Sequence, residues 1–258
     1  MRFENSVVLV TGGASGLGEA VARRAVASGA RGVVVLDLSS EKSAALALEL
    51  GPTAIATPCD ITVPGQVTEA VDAAVAQFGR IDTLVSCAGI PWAQRTVDRE
   101  GNSADLGAYR KVIEVNLIGT FDVVAKTAGA MSRNEPNEDG ERGVIIMTAS
   151  VAAFDGQIGQ VAYSASKGGI VGMTLPLARD LAPSGIRVLT IAPGLIDTPI
   201  YGFAPPELKE NLSRTVVFPH RLGYPDEFAQ LAESLAANAY MNGETVRLDG
   251  AIRMPPKS

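Results

Sequence analysis

Short runs of β-branched and apolar residues alternate along the chain with longer segments that carry apolar residues at helical spacing. Seven runs predict strands: Val7–Thr11, Gly32–Asp37, Thr53–Pro58, Thr83–Ser86, Gly143–Thr148, Arg187–Ala192 and Thr245–Leu248. Several are apolar at consecutive positions, which is typical of parallel strands buried on both faces. The segments between them predict helices: Leu17–Ser28, Glu41–Leu50, Gly65–Phe78, Leu106–Met131, Tyr163–Leu181 and Asp226–Asn238. This alternation predicts an α/β fold, with a doubly wound, parallel seven-stranded sheet and helices on both faces.

Two stretches interrupt the alternation. Arg133–Arg142 is highly polar and predicts an exposed loop. Pro193–Pro225 is long and rich in proline and glycine, and it follows the sixth predicted strand. A segment of that length in a compact α/β domain is usually a functional loop, and ligands bind beyond the carboxyl ends of the strands. We therefore expect a substrate lid over about residues 195–222.

Length and charge narrow the class of protein. A chain of 258 residues suits one large domain, so we expect residues 1–258 to form a single domain. The formal net charge of −6 argues against binding to nucleic acid or to an anionic membrane, because both require basic surfaces. Two cysteines and one histidine make a disulfide framework or a metal site improbable. With no signal peptide and no bilayer-spanning apolar run, we expect a cytoplasmic protein.

The first predicted strand leads directly into a glycine-rich turn and then a helix. Gly12, Gly16 and Gly18 lie in this turn, where glycines let a backbone approach a pyrophosphate and a helix N-terminus attracts it. Asp37 closes the second strand, 19 residues beyond Gly18, as expected of an acidic residue that accepts hydrogen bonds from the adenosine ribose. Because a carboxylate also repels a 2′-phosphate, the sequence predicts a Rossmann domain that binds NAD rather than NADP.

The ends of the third and fourth strands lie at the same predicted edge of the sheet. Asp60 and Ile61 end the third strand, and Cys87, Ala88 and Gly89 end the fourth. We expect these two strand ends to bracket the adenine and its ribose.

A candidate reacting centre follows the fifth strand. Ser150 ends that strand, and Tyr163 and Lys167 lie four residues apart, on one face of a predicted helix. A tyrosine is a poor base near neutral pH, but a neighbouring ammonium and an oxidised nicotinamide ring lower the pKa of its hydroxyl. Ser150 is placed to hydrogen-bond the substrate oxygen. Asn116 is a polar residue in an apolar helical stretch, where a buried, satisfied core amide is the alternative interpretation.

Across nearly its whole length the chain resembles the short-chain dehydrogenase/reductase family. The matching positions are Thr11, Gly12, Gly16, Gly18, Asp60, Ala88, Gly89, Asn116, Ser150, Tyr163, Lys167, Pro193 and Gly194. The resemblance implies that Tyr163 exchanges the proton with the substrate oxygen and that Ser150 orients this oxygen. It implies further that Lys167 binds the nicotinamide ribose and lowers the pKa of the tyrosine. Asn116 would then position a water that links Lys167 to solvent.

Within this family, the segments around Ser150 and Tyr163 and the terminal Arg247–Met254 are similar to type II 3-hydroxyacyl-CoA dehydrogenases. That group is NAD-dependent and typically tetrameric. Its resemblance implies further cofactor contacts at Ser15, Leu17, Asp37, Ile61 and Cys87. It also implies that Gln157 touches substrate beside Ser150 and Tyr163. The resemblance to the wider family implies that the nicotinamide end contacts Pro193, Gly194, Ile196 and Thr198. A homotetramer would use the Leu106–Met131 and Tyr163 helices for one interface and the Leu248–Met254 region for another.

One position departs from the wider family. The usual Asn-Asn-Ala-Gly at the end of strand four is Ser86-Cys87-Ala88-Gly89 here, which leaves open what braces the sheet in place of the asparagine.

The sequence predicts hydride transfer between NAD and a secondary alcohol or ketone, and the resemblance implies 3-hydroxyacyl-CoA as the preferred substrate. A carbonyl reductase or hydroxysteroid dehydrogenase is the alternative with the same chemistry. A non-catalytic NAD-binding sensor or scaffold is the alternative of a different class.

Overall fold

A computed structural model describes residues 1–199 and 205–257 of the chain. Its strands form one parallel sheet in the order β3-β2-β1-β4-β5-β6-β7. These strands are β1 (Val7–Thr11), β2 (Gly32–Asp37), β3 (Ala54–Pro58), β4 (Thr83–Ser86), β5 (Gly143–Thr148), β6 (Ile186–Pro193) and β7 (Thr245–Leu248). The predicted seven-stranded parallel sheet is confirmed, with strand ends that differ from the prediction by at most one residue.

Helices cover both faces of the sheet. They are α1 (Gly16–Ala27), α2 (Ser40–Leu50), α3 (Pro64–Phe78), α4 (Leu106–Ile113), α5 (Thr120–Met131), α6 (Val161–Leu181), α7 (Pro206–Thr215) and α8 (Pro225–Ala237). One core packs Leu9, Leu84 and Ile145 against helices α3, α5 and α6. The other packs Val8 and Val10 against helices α1 and α8. Alternate strand residues feed the two cores, because successive side chains of a strand point to opposite faces.

The long helix predicted over Leu106–Met131 is interrupted. Six residues, Glu114–Gly119, form a π-helical segment between α4 and α5. The wider turn carries Asn116, which is fully buried and bonds the chain at Ile90. A π turn inserts one residue without changing the apolar character of the helix face, so the sequence pattern does not reveal it.

Two further segments differ from the prediction. The segment after β6 contains helix α7, which the sequence analysis did not predict because prolines and glycines surround it. The polar loop Arg133–Arg142 is largely exposed as predicted, apart from Glu141, which is buried against Arg187 of β6. Among the described residues, no helix combines the length and the apolar character needed to span a bilayer.

The register of the sheet brings the strand ends together. Thr11 pairs with Ser86, and Ser86 pairs with Met147, so β1, β4 and β5 end level with one another. The residues that follow each strand therefore share one edge of the sheet, as the sequence predicted.

Candidate active site

A cavity of about 930 Å³ opens at this edge of the sheet. With the exception of Asn116, it is lined by every residue predicted to act in catalysis or binding. These are Gly12, Ser15, Gly16, Leu17, Gly18, Asp37, Asp60, Ile61, Cys87, Ala88, Gly89, Ser150, Gln157, Tyr163, Lys167, Pro193, Gly194, Ile196 and Thr198. The fold thus gathers residues from most of the chain around a single space large enough for a dinucleotide and a second ligand.

The glycine-rich turn is shaped so that side chains are excluded. Gly12 and Gly16 have φ angles of +61° and +54°, which side-chain-bearing residues rarely adopt. A Cβ on Gly12 would lie 2.9 Å from the backbone of Ala88, and one on Gly18 only 2.2 Å from the carbonyl oxygen of Gly12. The first turn of α1 follows at once, and its unpaired N–H groups attract an anion. This bare cradle fits the pyrophosphate of a dinucleotide.

Asp37 at the end of β2 fixes the shape of this turn. Its carboxylate accepts hydrogen bonds from the backbone N–H of Ala14, at 3.0 Å, and of Ser39, at 2.9 Å. The aspartate also lines the cavity. A carboxylate held in this way is positioned for ribose hydroxyls.

Asp60 lies beyond β3 on the neighbouring wall. Its Oδ1 accepts hydrogen bonds from the hydroxyl of Thr62, at 2.7 Å, and from the backbone N–H of the same residue, at 2.9 Å. These bonds lower the pKa of the Asp60 carboxyl. Asp60 therefore stays ionised at neutral pH and shapes the turn that carries Ile61.

Thr11 supplies the brace that the departure at Cys87 left open. Its hydroxyl oxygen accepts hydrogen bonds from the backbone N–H groups of Cys87, at 3.1 Å, and Ala88, at 3.2 Å. The Cys87 thiol accepts a hydrogen bond from the Thr148 hydroxyl at 3.6 Å. Burial raises the pKa of this thiol to about 11, so it is a neutral wall of the cavity. The end of β4 is thus held from β1 and β5.

Ser150, Tyr163 and Lys167 form the polar end of the cavity. The Ser150 oxygen accepts a hydrogen bond from the backbone N–H of Ala152 at 3.1 Å, which leaves its own proton to donate. Lys167 Nζ lies 5.8 Å from the centre of the Tyr163 ring and donates to the Thr148 carbonyl at 2.8 Å. Burial lowers the pKa of the lysine to about 8. It is therefore mostly protonated at neutral pH and places a positive charge beside the tyrosine.

Asn116 stands behind this group and does not line the cavity. Its amide oxygen accepts the backbone N–H of Ile90 at 2.8 Å. Its amide nitrogen donates to the Ile90 carbonyl at 3.0 Å and to the Ser166 hydroxyl at 3.2 Å. Ser166 in turn donates to the backbone carbonyl of Tyr163 at 2.8 Å. Asn116 thus ties the segment after β4 to the helix of Tyr163, whereas its role toward a water remains a prediction.

Several residues that line the cavity were missed by sequence reasoning. They are Leu36, Leu38, Cys59, Ile90, Pro91, Trp92, Ala93, Lys111, Val115, Thr148, Ala149, Val151, Ala152, Gln160, Leu195, Pro199, Leu208, Leu212 and Met254. Some are neighbours of predicted residues at the strand ends. No local motif marks Trp92, which comes from a loop. Leu212 lies in the predicted lid and Met254 in the terminal segment that resembles the type II group, but neither was singled out as a lining residue. Among the described residues, no group of His, Cys, Asp or Glu side chains is arranged to hold a metal ion.

The fold and the site together define a nicotinamide-dependent oxidoreductase. A family model described as short chain dehydrogenase matches residues 6–208. The chain therefore belongs to the short-chain dehydrogenase family.

Individual relatives are similar over nearly the full length. The 3-hydroxyacyl-CoA dehydrogenase type-2 of Bos taurus is 53% identical over 251 residues, which cover 97% of this chain and 96% of that protein. A crystal structure of 3-hydroxyacyl-CoA dehydrogenase type-2 from Mycobacterium avium has a TM-score of 0.95 at 47% identity, covering 99% of this chain and 98% of that one. A 3-ketoacyl-(acyl-carrier-protein) reductase from Brucella melitensis, complexed with NADH, has a TM-score of 0.86 at 29% identity, covering 98% and 100%.

Proposed function

We propose that this enzyme transfers hydride reversibly between NAD and 3-hydroxyacyl-CoA, forming 3-oxoacyl-CoA. The observation that carries the chemistry is the grouping of Ser150, Tyr163 and Lys167 in the cavity that the glycine-rich turn enters. The acyl-CoA substrate is supported by the names of the relatives from Bos taurus and Mycobacterium avium.

The residues of the site divide the work of alcohol oxidation. Ser150 donates a hydrogen bond from its hydroxyl to the substrate oxygen and holds the substrate in place. Tyr163 removes the hydroxyl proton, and the charge on Lys167 stabilises the phenolate that the tyrosine must form. Pro193, Gly194 and Lys167 would hold the nicotinamide end of bound NAD, which would supply the hydride acceptor. In the reverse direction Tyr163 returns the proton to the ketone oxygen.

We infer that the cofactor is NAD rather than NADP. Asp37 lines the cavity at the end of β2, and its carboxylate would repel an adenosine 2′-phosphate bound beside it. Positions 38–41 hold no lysine or arginine that would offset this repulsion. The cofactor-binding residues proposed from the sequence all line the cavity, which supports the binding of a dinucleotide there.

We also propose that the chain works as one NAD-binding domain with a lid over residues 195–222, of which residues 200–204 lie outside the described part. A homotetramer is supported by the apolar side chains of Ile118, Phe121 and Leu175, which are about half exposed near α5 and on α6. A cytoplasmic location stays a prediction from the sequence.

An NADH-linked screen tests the proposed function. Turnover is compared for acetoacetyl-CoA, a 3-oxosteroid and a simple ketone, each with NADH and with NADPH. We expect the highest kcat/KM for acetoacetyl-CoA with NADH. Fast reduction of the ketone or steroid without turnover of acetoacetyl-CoA would instead assign a carbonyl reductase or hydroxysteroid dehydrogenase. NADH binding with no turnover of any substrate would favour the non-catalytic sensor.

A further inference from the structure

The chain terminus forms part of the wall of the cavity. We call residues Ala251–Lys257 the C-terminal tail, which follows β7 and the turn after it. Met254 of this tail lines the same cavity as Ser150 and Tyr163. Ile252 anchors the tail, because its side chain is 2% exposed. A residue more than 90 positions from Tyr163 thus borders the space where substrate must lie.

The tail is hydrogen-bonded to the segment that follows Ser150. We call Phe154–Gln160 the substrate loop. Its Ile158 donates a backbone N–H to the carbonyl of Pro256 at 3.0 Å. The side chain of Gln157, which was predicted to touch substrate, donates to the carbonyl of Pro255 at 3.0 Å. Gln157 lines the cavity and at the same time holds the tail.

A third segment is attached to the other side of the substrate loop. The backbone N–H of Gln94 donates to the carbonyl of Gly159 at 2.8 Å. This bond holds in place the segment whose residues Trp92 and Ala93 line the cavity. None of the three segments supplies a proposed cofactor contact. Together they therefore form the substrate side of the cavity.

Arg247 at the end of β7 joins the substrate loop to the tail. Its Nη2 donates to Asp155 Oδ2 at 2.6 Å and to the carbonyl of Ile252 at 3.0 Å, while its Nε donates to Asp249 Oδ2 at 2.7 Å. The guanidinium also lies 5.2 Å from the centre of the Phe154 ring. A planar group with several donors holds these partners at once, whereas the single nitrogen of a lysine does not.

We propose that Arg247 is a positioning residue for substrate selection. By joining the substrate loop to the C-terminal tail it fixes Met254 as a wall, and this wall limits the size of the acyl group that fits beside Ser150 and Tyr163. The proposal rests on the proposed function only for the acyl-CoA class of the substrate. The size limit set by Met254 applies to any ketone that the site reduces.

The test compares a long and a short substrate in matched variants. Met254→Ala is expected to raise the ratio of kcat/KM for 3-oxodecanoyl-CoA over acetoacetyl-CoA by about tenfold, as expected for a few methylenes of new room. Arg247→Gln is expected to raise the same ratio by loosening the tail, and Arg247→Lys to raise it less. In all three the NADH dissociation constant should stay within about twofold, since the cofactor side is unchanged.

Arg24→Gln is the matched control. Arg24 also bridges two carboxylates, Asp226 and Glu233, and its side chain is 25% exposed, against 21% for Arg247. It joins α1 to α8 and does not line the cavity, so its substrate ratio should equal that of the unmodified enzyme. A ratio equal to that of the unmodified enzyme in either Met254→Ala or Arg247→Gln would overturn the proposal. So would a shift in the control as large as in Arg247→Gln.

Two other outcomes, misfolding of a variant and failure of the proposed function, lead to different conclusions. If Arg247→Gln fails to fold, as judged by circular dichroism, Arg247→Lys takes its place, and an unchanged ratio in that variant overturns the role of Arg247. If the unmodified enzyme reduces no CoA ester but reduces ketones, the proposed function fails. The ratio for 2-decanone over butanone then replaces the acyl-CoA ratio and still supports or overturns the wall.

Discussion

The two sides of the cavity are built in different ways. The cofactor side consists of turns at the ends of adjacent strands, where Gly12, Asp37 and Asp60 are each fixed by local backbone bonds or backbone geometry. The substrate side consists of the substrate loop, the C-terminal tail, the segment of Trp92 and Ala93, and helix α7, which are distant in sequence. The first three meet through a few hydrogen bonds. The geometry of the cofactor side therefore follows from the sheet, whereas the substrate side is built from segments outside the sheet.

This difference implies that the two sides respond differently to mutation. Changes on the cofactor side should alter cofactor binding for every substrate. Changes on the substrate side should alter the KM of particular substrates and leave the cofactor unaffected. The reacting group lies between the two sides, because Tyr163 and Lys167 project from α6 at their junction. A variant at Tyr163 should affect chemistry most and binding least.

The largest effect is expected for Tyr163→Phe. Removal of the hydroxyl leaves no group to exchange the proton with the substrate oxygen, and kcat should fall by about 10³-fold, within the usual range for general acid–base catalysis. The NADH dissociation constant, measured by fluorescence titration, should change by less than about twofold. Retention of full turnover would refute the assigned mechanism while leaving NAD binding intact.

Lys167→Met tests the charge beside the tyrosine. Burial lowers the pKa of Lys167 to about 8 from 10.5, so the folded state carries the cost of a buried charge below pH 8. Between these two values the unfolded chain binds more protons, and this contribution to stability rises with pH. The free energy of unfolding of the unmodified protein, relative to the variant, should therefore increase by about 2 kcal/mol from pH 7 to pH 10, at 1.36 kcal/mol per pH unit.

Urea unfolding of both proteins without cofactor, followed by circular dichroism at each pH, gives this difference directly. The comparison removes the titration of all other groups that the two proteins share. The variant should also lose turnover at pH 7, where most of the lysine is charged. A constant difference in stability across the pH range would contradict the lowered pKa.

Much of the cofactor side could be predicted from the sequence, for a physical reason. A tight turn between a strand and a helix needs glycine at defined positions, so Gly12 and Gly18 in the sequence indicate where the turn lies. The spacing of Tyr163 and Lys167 likewise indicates that both side chains lie on one face of a helix. Met254 and Arg247 carry no such information, because their positions depend on how the chain returns to the sheet after the lid. Thr11 was identified as a family position, but its role as a brace was missed, because its partners at the end of β4 are 76 and 77 residues away in sequence.

Asp37→Ser probes the cofactor side at its edge. The variant removes the carboxylate that would accept hydrogen bonds from ribose and repel a 2′-phosphate. The NADH dissociation constant should rise by about tenfold or more, because hydrogen bonds to charged groups contribute about 1.5–3 kcal/mol. The preference for NADH over NADPH should fall further than the affinity for NADH itself.

Isothermal titration with both cofactors measures the two effects. Asp122→Ser is a suitable control, because its carboxylate is partly exposed, pairs with Lys126 at 2.6 Å and does not line the cavity. If Asp37→Ser retains the NADH preference of the unmodified enzyme, some other group selects the cofactor. The kcat for bound substrate should change little in either variant.

The smallest effect is expected on the substrate side, at Leu212 of α7. Leu208 and Leu212 lie one helical turn apart, and both line the cavity. An acyl chain that contacts this face loses part of its apolar contact in Leu212→Ala, which costs about 1 kcal/mol or about a fivefold rise in KM. The NADH dissociation constant should not change. Because Leu212 is only half buried in the free protein, stability should also change little. A rise in KM that is equal for acetoacetyl-CoA and a long acyl-CoA would show that α7 acts on the whole ligand, and the division between the two sides would then have to be drawn elsewhere.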